Sequence, residues 1–358
     1  MRSTRRCCAL SDAPPFFILG SNGSGSTLLR LMLDSHDRLA VPQETGIMRL
    51  VTAHRWIPHW GFGGVWHHRL GMTDEDVDRE LEAFYGGMFD RYAAAQGKQR
   101  WGEKTPFHVW HVEDICRVFP GAALVGIVRH PLGSVGSIVR RFDRPPAKAA
   151  THWLGVTREL VHQAGIVGDA LCVVRYEDLA REPEPVMREL LDWLGEPWSA
   201  GVLRHHEVQA DGGSREAEGG TRVDEAVDPA RIERWKDWVD GDVQREVLDR
   251  TREWAALLGY ADDPASVAAC ITADGSGRRF VVSGSELAAR AQSTAGLDLS
   301  PPRRPRTDDP TLPRDMTSRR RAVRRAEAAR QEATRQVFDR LPPKLQRKVR
   351  EARRGRSD

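Results

Sequence analysis

Phe16–Thr27 reads FFILGSNGSGST, and Leu28–His36 continues as LLRLMLDSH. Four consecutive apolar residues, Phe16 to Leu19, with no polar alternation suit a strand buried on both faces. Gly20, Gly23 and Gly25 then break the run. Leu28, Leu29, Leu31, Met32 and Leu33 resume it at helical spacing. The reading is strand, glycine-rich loop, helix. Such a loop aims its amides from the positive end of the helix, its glycines admit a ligand close to the backbone, and Ser24, Ser26 and Thr27 add hydroxyl donors. Together with Asn22 they make a phosphate cradle. The interval from Gly20 to Gly25 followed by Ser26-Thr27 matches the GxxxxGK[ST] loop, except that Ser26 stands where the lysine belongs. No later apolar run ends in an aspartate able to hold Mg²⁺. The expectation is an anion site without a metal rather than a triphosphate–Mg²⁺ site.

Outward from this loop, two further apolar runs predict strands. Ala122–Val128 ends in Arg129-His130-Pro131, and Leu171–Val174 ends in Arg175-Tyr176-Glu177-Asp178. Helical patterns follow each, at Ser134–Arg141 and Glu184–Leu194. Thr73 caps a helix of about two dozen residues towards Gln96. Two more helices are expected at Pro229–Val239 and Val243–Leu258, and a long loop at residues 205–228. Short apolar strands alternating with helices predict an α/β, P-loop-like, three-layer fold around a mostly parallel sheet. The 358 residues carry 54 Lys+Arg and 51 Asp+Glu, yet 19 of the basic and only 8 of the acidic residues lie from residue 301 onward. The body is therefore acidic and the tail strongly basic. The expected division is an extension over 1–15, a main domain over 16–262, an appendage over 263–300, and a Pro-rich linker with a basic helical tail over 301–358. No apolar run approaches the roughly 20 residues of a membrane span.

Arg129, at a strand end, can grip a phosphate with two N–H groups, and Ser137, one to two turns into the next helix, can add a hydroxyl. Ligands of open α/β sheets sit beyond the carboxyl ends of strands, where both elements point. Two phosphate-type elements at neighbouring strand ends suggest a nucleotide phosphorylated at both ends of its ribose. Four stretches in order, GSNGSGSTLLRLMLDSH, GEKTPFHV, FPGAALVGIVRHPLGSVGS and VVRYEDLAREPEPVMRELLDWLGEP, resemble the sulfotransferases that use 3′-phosphoadenosine-5′-phosphosulfate (PAPS). The likeness covers roughly residues 16–260 and is nearest to the bacterial carbohydrate and tyrosylprotein branches. One departure stands out: the family loop usually carries Arg or Lys where this chain has Gly23.

The resemblance implies sulfuryl transfer from PAPS to a hydroxyl of a small molecule, glycan or glycolipid. Glu44 of VPQETGIMR matches the position of the base, and Lys104 of EKTP is placed near the bridging oxygen. Residues 22–27 would hold the 5′ end, Arg129 and Ser137 the 3′-phosphate. Tyr176 would lie beside the adenine or ribose, or else be a core tyrosine. His36 reads as a packing residue, Glu177 and Asp178 as structural, and His108 and His111 lack a convincing carboxylate partner for a metal. Trp56, Trp60, Trp66, His59, His67 and His68 form a cluster suited to a sugar or aromatic acceptor, or an insert packed on the core. Five scattered cysteines, Cys7, Cys8, Cys116, Cys172 and Cys270, predict a cytoplasmic protein. The basic tail could reach an anionic membrane surface or an acidic partner, while the lack of interleaved aromatics argues against nucleic acid. The rival readings are a P-loop kinase and a catalytically silent nucleotide-binding adaptor.

Overall fold

The computed structural model describes residues 13–55, 66–211, 225–261 and 280–302. These belong to the first of two units into which the chain divides, Met1–Pro302. Trp56, His59, Trp60, Cys7, Cys8, Cys270 and the tail from 303 onward lie outside the described residues, as does the side chain of Trp66.

Six strands form one sheet: β1 (Phe16–Gly20), β2 (Leu39–Ala40), β3 (Arg100–Lys104), β4 (Ala123–Val128), β5 (Leu171–Arg175) and β6 (Val281–Ser283). Their order is β2-β3-β1-β4-β5-β6, parallel throughout except that β6 runs antiparallel to β5. Ile18 of β1 lies opposite Lys104 on one side and Val125 on the other. The chain leaves β1 to one side to build β2 and β3, then crosses to the other for β4. The order therefore switches at β1, and a crevice opens beyond its carboxyl end.

Alternate residues of β1 serve opposite layers, Phe17 and Leu19 one core, Phe16 and Ile18 the other. The glycine loop leads into α1 (Ser26–Asp34), which covers the Phe16 face. Between β2 and β3 run α2 (Ile47–Arg55), α3 (Trp66–Arg69), α4 (Asp74–Leu81) and α5 (Gly87–Ala95). Thr73 caps α4 reciprocally with Asp76, and a π-helical turn over Glu82–Gly86 joins α4 to α5. A 3₁₀ turn, Pro106–His111, and α6 (Val112–Val118) precede β4. Then come α7 (Pro131–Phe142) and α8 (Pro146–Val167), with α9 (Tyr176–Arg181) and α10 (Pro183–Leu194) after β5. The rest are α11 (His205–Asp211), α12 (Gly241–Leu257) and α13 (Gly284–Ser293).

The α/β class stands, with several corrections to its elements. Residues 205–211 are helical rather than loop. The expected helix over Pro229–Val239 is two short 3₁₀ turns, Pro229–Ile232 and Arg234–Asp237. Within the stretch expected to form an appendage, Val281–Ser283 adds an edge strand to the central sheet. The long helix α8 carries no clean apolar stripe because it is packed from several sides. Its buried face includes Glu159 and Gln163, which hydrogen-bond to each other at 2.9 Å.

Candidate active site

The loop after β1 is shaped by two left-handed glycines, Gly23 at φ +78° and Gly25 at φ +94°. A Cβ on Gly23 would lie 2.9 Å from Ser137 Cβ and 3.0 Å from the Ser134 carbonyl oxygen. A Cβ on Gly25 would come within 2.3 Å of the Tyr176 ring. The loop is thus wedged between α7 and the start of α9, and only glycine fits at both positions.

Arg129 locks this arrangement from below. It is buried, its Nη1 donates to the Gly23 carbonyl at 3.2 Å, and its Nη2 donates to the Arg231 carbonyl at 2.8 Å. The guanidinium lies over the Tyr176 ring, 4.2 Å from the centroid. Trp153 Nε1 in turn donates to the Arg129 carbonyl at 3.0 Å. Behind it, Glu177 accepts the His130 amide at 3.0 Å and the Tyr260 hydroxyl at 2.8 Å. Burial pushes the Glu177 carboxyl up. Asp178 pairs with Arg175 at 2.7 Å. His36 Nε2 donates to the Pro197 carbonyl at 2.7 Å, and its Nδ1 accepts the Arg38 amide. His36, Glu177 and Asp178 thus bond to other parts of the fold.

The space left above is a cavity of about 220 Å³. Of the expected residues, Gly23, Gly25, Ser26, Thr27, Arg129, Ser137 and Tyr176 line it, whereas Asn22 and Ser24 do not. Ser24 is fully buried beneath the loop, its amide on the Ser21 carbonyl at 3.1 Å. The structure adds four arginines that the sequence reading missed: Arg140 and Arg141 from α7, and Arg231 and Arg234 from the 3₁₀ turns. One signal was available for Arg141, which stands four residues after Ser137 and so shares its helix face. Arg231 ion-pairs with Glu225, which lines the cavity together with Asp228. Five arginines against two carboxylates, at the amino end of α1, make a site for a polyanion. Arg129 Nε is buried without a hydrogen-bond partner among the described residues. A nucleotide with phosphates at both ends of its ribose fits this donor set.

Glu44 and Lys104 adjoin the cavity at Thr27. Lys104 is fully buried, and its Nζ donates to Glu44 Oε1 at 2.6 Å and to Thr27 Oγ1 at 3.4 Å. The Glu44 side chain is 50 % exposed. An acidic group open to solvent thus meets a buried cation at the rim of an anion cavity, which suits transfer between a bound anion and an incoming hydroxyl. Glu103, missed in the sequence, underlies this pair. His108 lies 3.0 Å from Glu103 Oε2, and His111 faces Asp114 at 3.4 Å. His67 and His68 both set Nε2 at 2.8 Å from Asp74 Oδ1, the one grouping of three such ligands among the described residues.

Residues 14–200 match the family model described as the sulfotransferase family. The chain belongs to that family. It is 30 % identical over 263 residues to protein-tyrosine sulfotransferase 1 of Danio rerio, covering 70 % of this chain and 73 % of that one. It is 28 % identical over 271 residues to protein-tyrosine sulfotransferase 2 of Gallus gallus, covering 71 % and 72 %. Among solved structures it is similar to the sulfotransferase domain of the Synechococcus PCC 7002 olefin synthase, at 25 % identity and TM-score 0.49, over 70 % of this chain and 98 % of that one. The protein is a PAPS-dependent sulfotransferase. These relatives overturn the cytoplasmic placement expected from the cysteines, because protein-tyrosine sulfotransferases lend it no support. Scattered cysteines do not fix a compartment. No helix among the described residues is long and apolar enough to cross a membrane.

Proposed function

We propose that this sulfotransferase moves a sulfuryl group onto a phenolic hydroxyl of the protein-tyrosine type, with Glu44 as base. The observation that carries the reading is the Glu44–Lys104 contact at the rim of the arginine-lined cavity. PAPS supplies the sulfuryl group on a phosphate leaving group. Gly23, Gly25, Ser26 and Thr27 hold its 5′ end through amides and hydroxyls. Arg129 and Ser137, with Arg141 one turn further along α7, hold the 3′-phosphate. Tyr176 lies under Arg129 and fills the wall beside the ribose. Asn22 and Ser24 shape the loop rather than touch the nucleotide.

Lys104 places positive charge next to Thr27, where the bridging oxygen takes up charge as the sulfur–oxygen bond breaks. Glu44 takes the proton of the attacking hydroxyl as the new oxygen–sulfur bond forms, and 3′,5′-adenosine bisphosphate departs. Gly23 leaves the loop without its usual basic side chain; Arg231 and Arg234 bring charge to the same cavity. The small-molecule, glycan or glycolipid acceptors expected from the sequence give way to a tyrosyl phenol because the relatives are named for that acceptor. Arg140, the one arginine of the cavity lining not given to the nucleotide, favours an acidic residue beside the acceptor.

Calorimetry with 3′,5′-adenosine bisphosphate tests the nucleotide side. Binding is expected without metal and should weaken on the order of 10²-fold in Arg129→Ala, which removes two charged hydrogen-bond donors. Glu44→Gln should bind the bisphosphate normally and lose about 10²- to 10⁴-fold in kcat on an acidic tyrosine peptide. Binding of ATP only with Mg²⁺ would overturn the reading in favour of a kinase. Nucleotide binding with no transfer to a panel of acidic tyrosine peptides, small phenols and sugars would leave the silent adaptor.

A further inference from the structure

Glu103 has no part in the steps above, yet it lies directly beneath them. It sits on β3, one residue before Lys104, with no solvent exposure. Its Oε1 accepts three bonds, from the Thr45 amide at 3.2 Å, the Thr45 hydroxyl at 2.7 Å and the Thr105 hydroxyl at 2.7 Å. Its Oε2 lies 3.0 Å from Nε2 of the equally buried His108. Burial alone would raise the Glu103 carboxyl, but the His108 imidazole and the threonine hydroxyls outweigh it and hold the group below its usual range. Glu103 is therefore an ionised carboxylate in the protein interior at neutral pH.

A charge buried this completely is a poor way to gain stability, since an apolar side chain would fill the space without desolvation. What the carboxylate does secure is the path of the chain next to Glu44. It holds Thr45 by both backbone and side chain. The Gly46 amide donates to Thr105 Oγ1 at 3.1 Å, and the Ile47 amide to Thr45 Oγ1 at 3.2 Å. Two consecutive residues of β3 thus grip two consecutive residues of the loop, Glu103 on Thr45 and Lys104 on Glu44. Glu44, although half exposed, is set on a loop tied to the central sheet.

We propose that Glu103, backed by His108, is a positioning residue for sulfuryl transfer. It acts through Thr45 to hold the Glu44 carboxylate where the acceptor hydroxyl arrives. The proposal rests on the reading of Glu44 as base. Displacing a catalytic group by about 1 Å lowers turnover on the order of 10²-fold. Glu103→Gln and Thr45→Val are each expected to lose kcat by about that factor, with bisphosphate affinity and acceptor KM near wild type. Thr45→Ser keeps the hydroxyl that Glu103 holds and should stay within about threefold of wild-type kcat.

The experiment measures kcat, acceptor KM and bisphosphate affinity for these three variants beside Glu44→Gln, on protein shown to bind the bisphosphate. A merely structural role would lower melting temperature and leave kcat per binding site unchanged. Wild-type kcat in Glu103→Gln and Thr45→Val, with Glu44→Gln inactive, overturns the positioning role and spares the base. Full turnover in Glu44→Gln overturns the base itself, and the proposal with it. Should Glu103→Gln fail to fold, the contrast between Thr45→Val and Thr45→Ser decides: equal kcat in the two overturns the proposal.

Discussion

At Gly23, loop composition and loop geometry meet. Similar loops carry a basic residue there, and restoring it looks at first like an improvement. The left-handed backbone argues otherwise, because any L side chain at φ +78° costs about 1–2 kcal/mol before its contacts are considered. The new Cβ would also press on Ser137 and disturb the carbonyl that Arg129 holds at 3.2 Å. Gly23→Arg is therefore expected to lower the melting temperature by a few degrees and to weaken bisphosphate binding despite the added charge. Scanning calorimetry and titration check both. A variant that is equally stable and binds more tightly would show that the loop can yield to a side chain.

Among the elements, the helices that follow Glu44 are tied together by a charge cluster on α6. Asp114 bonds to Arg117, faces His111 at 3.4 Å and accepts the Thr52 hydroxyl of α2 at 3.2 Å. Arg117 also reaches Asp78 of α4 at 3.1 Å. Burial would raise the Asp114 carboxyl, but the bonds from His111 and Arg117 outweigh it and bring it from 3.8 to about 2. A folded pKa below the unfolded one means stability that is present above about pH 4 and lost as pH falls through 2. The depression corresponds to on the order of 2 kcal/mol. Urea unfolding followed from pH 6 downward should show a steep loss below pH 4 in the wild type. In Asp114→Asn the loss over that interval should be flatter, and matching slopes would show that Asp114 is not the group responsible.

For the molecule as a whole, the switch of strand order at β1 and the arginines gathered beyond it predict stabilisation by ligand without metal. At 100 times its dissociation constant, 3′,5′-adenosine bisphosphate should add about 2.7 kcal/mol to unfolding, seen as a higher melting temperature that EDTA leaves unchanged. A shift that appears only with Mg²⁺ would contradict the architecture proposed for the site. The same scale explains why β3 was not legible as a strand. Its five residues, RWGEK, are all buried, yet three are charged. Arg100 spends its charge on the Pro14 and Leu194 carbonyls and on Glu196, Glu103 on two threonines, and Lys104 on Glu44. Hydropathy reads such a segment as surface, because the partners that make its burial tolerable lie as far as 96 residues away.

The strand–loop–helix at Phe16–Asp34, the apolar cores of β4 and β5, and the placing of Arg129 and Ser137 on one cavity are local matters. Apolar runs, glycines and helical spacing act over a few residues, so the sequence by itself determined the α/β class and that the glycine loop and α7 line the cavity. The five-arginine cavity, the burial of Lys104 against Glu44 and the Glu103–Thr45 bond were decided only by tertiary structure. A charge written in a sequence does not say whether water or another side chain will neutralise it. That depends on which distant residues the sheet brings within about 3 Å, the range at which a hydrogen bond or ion pair forms.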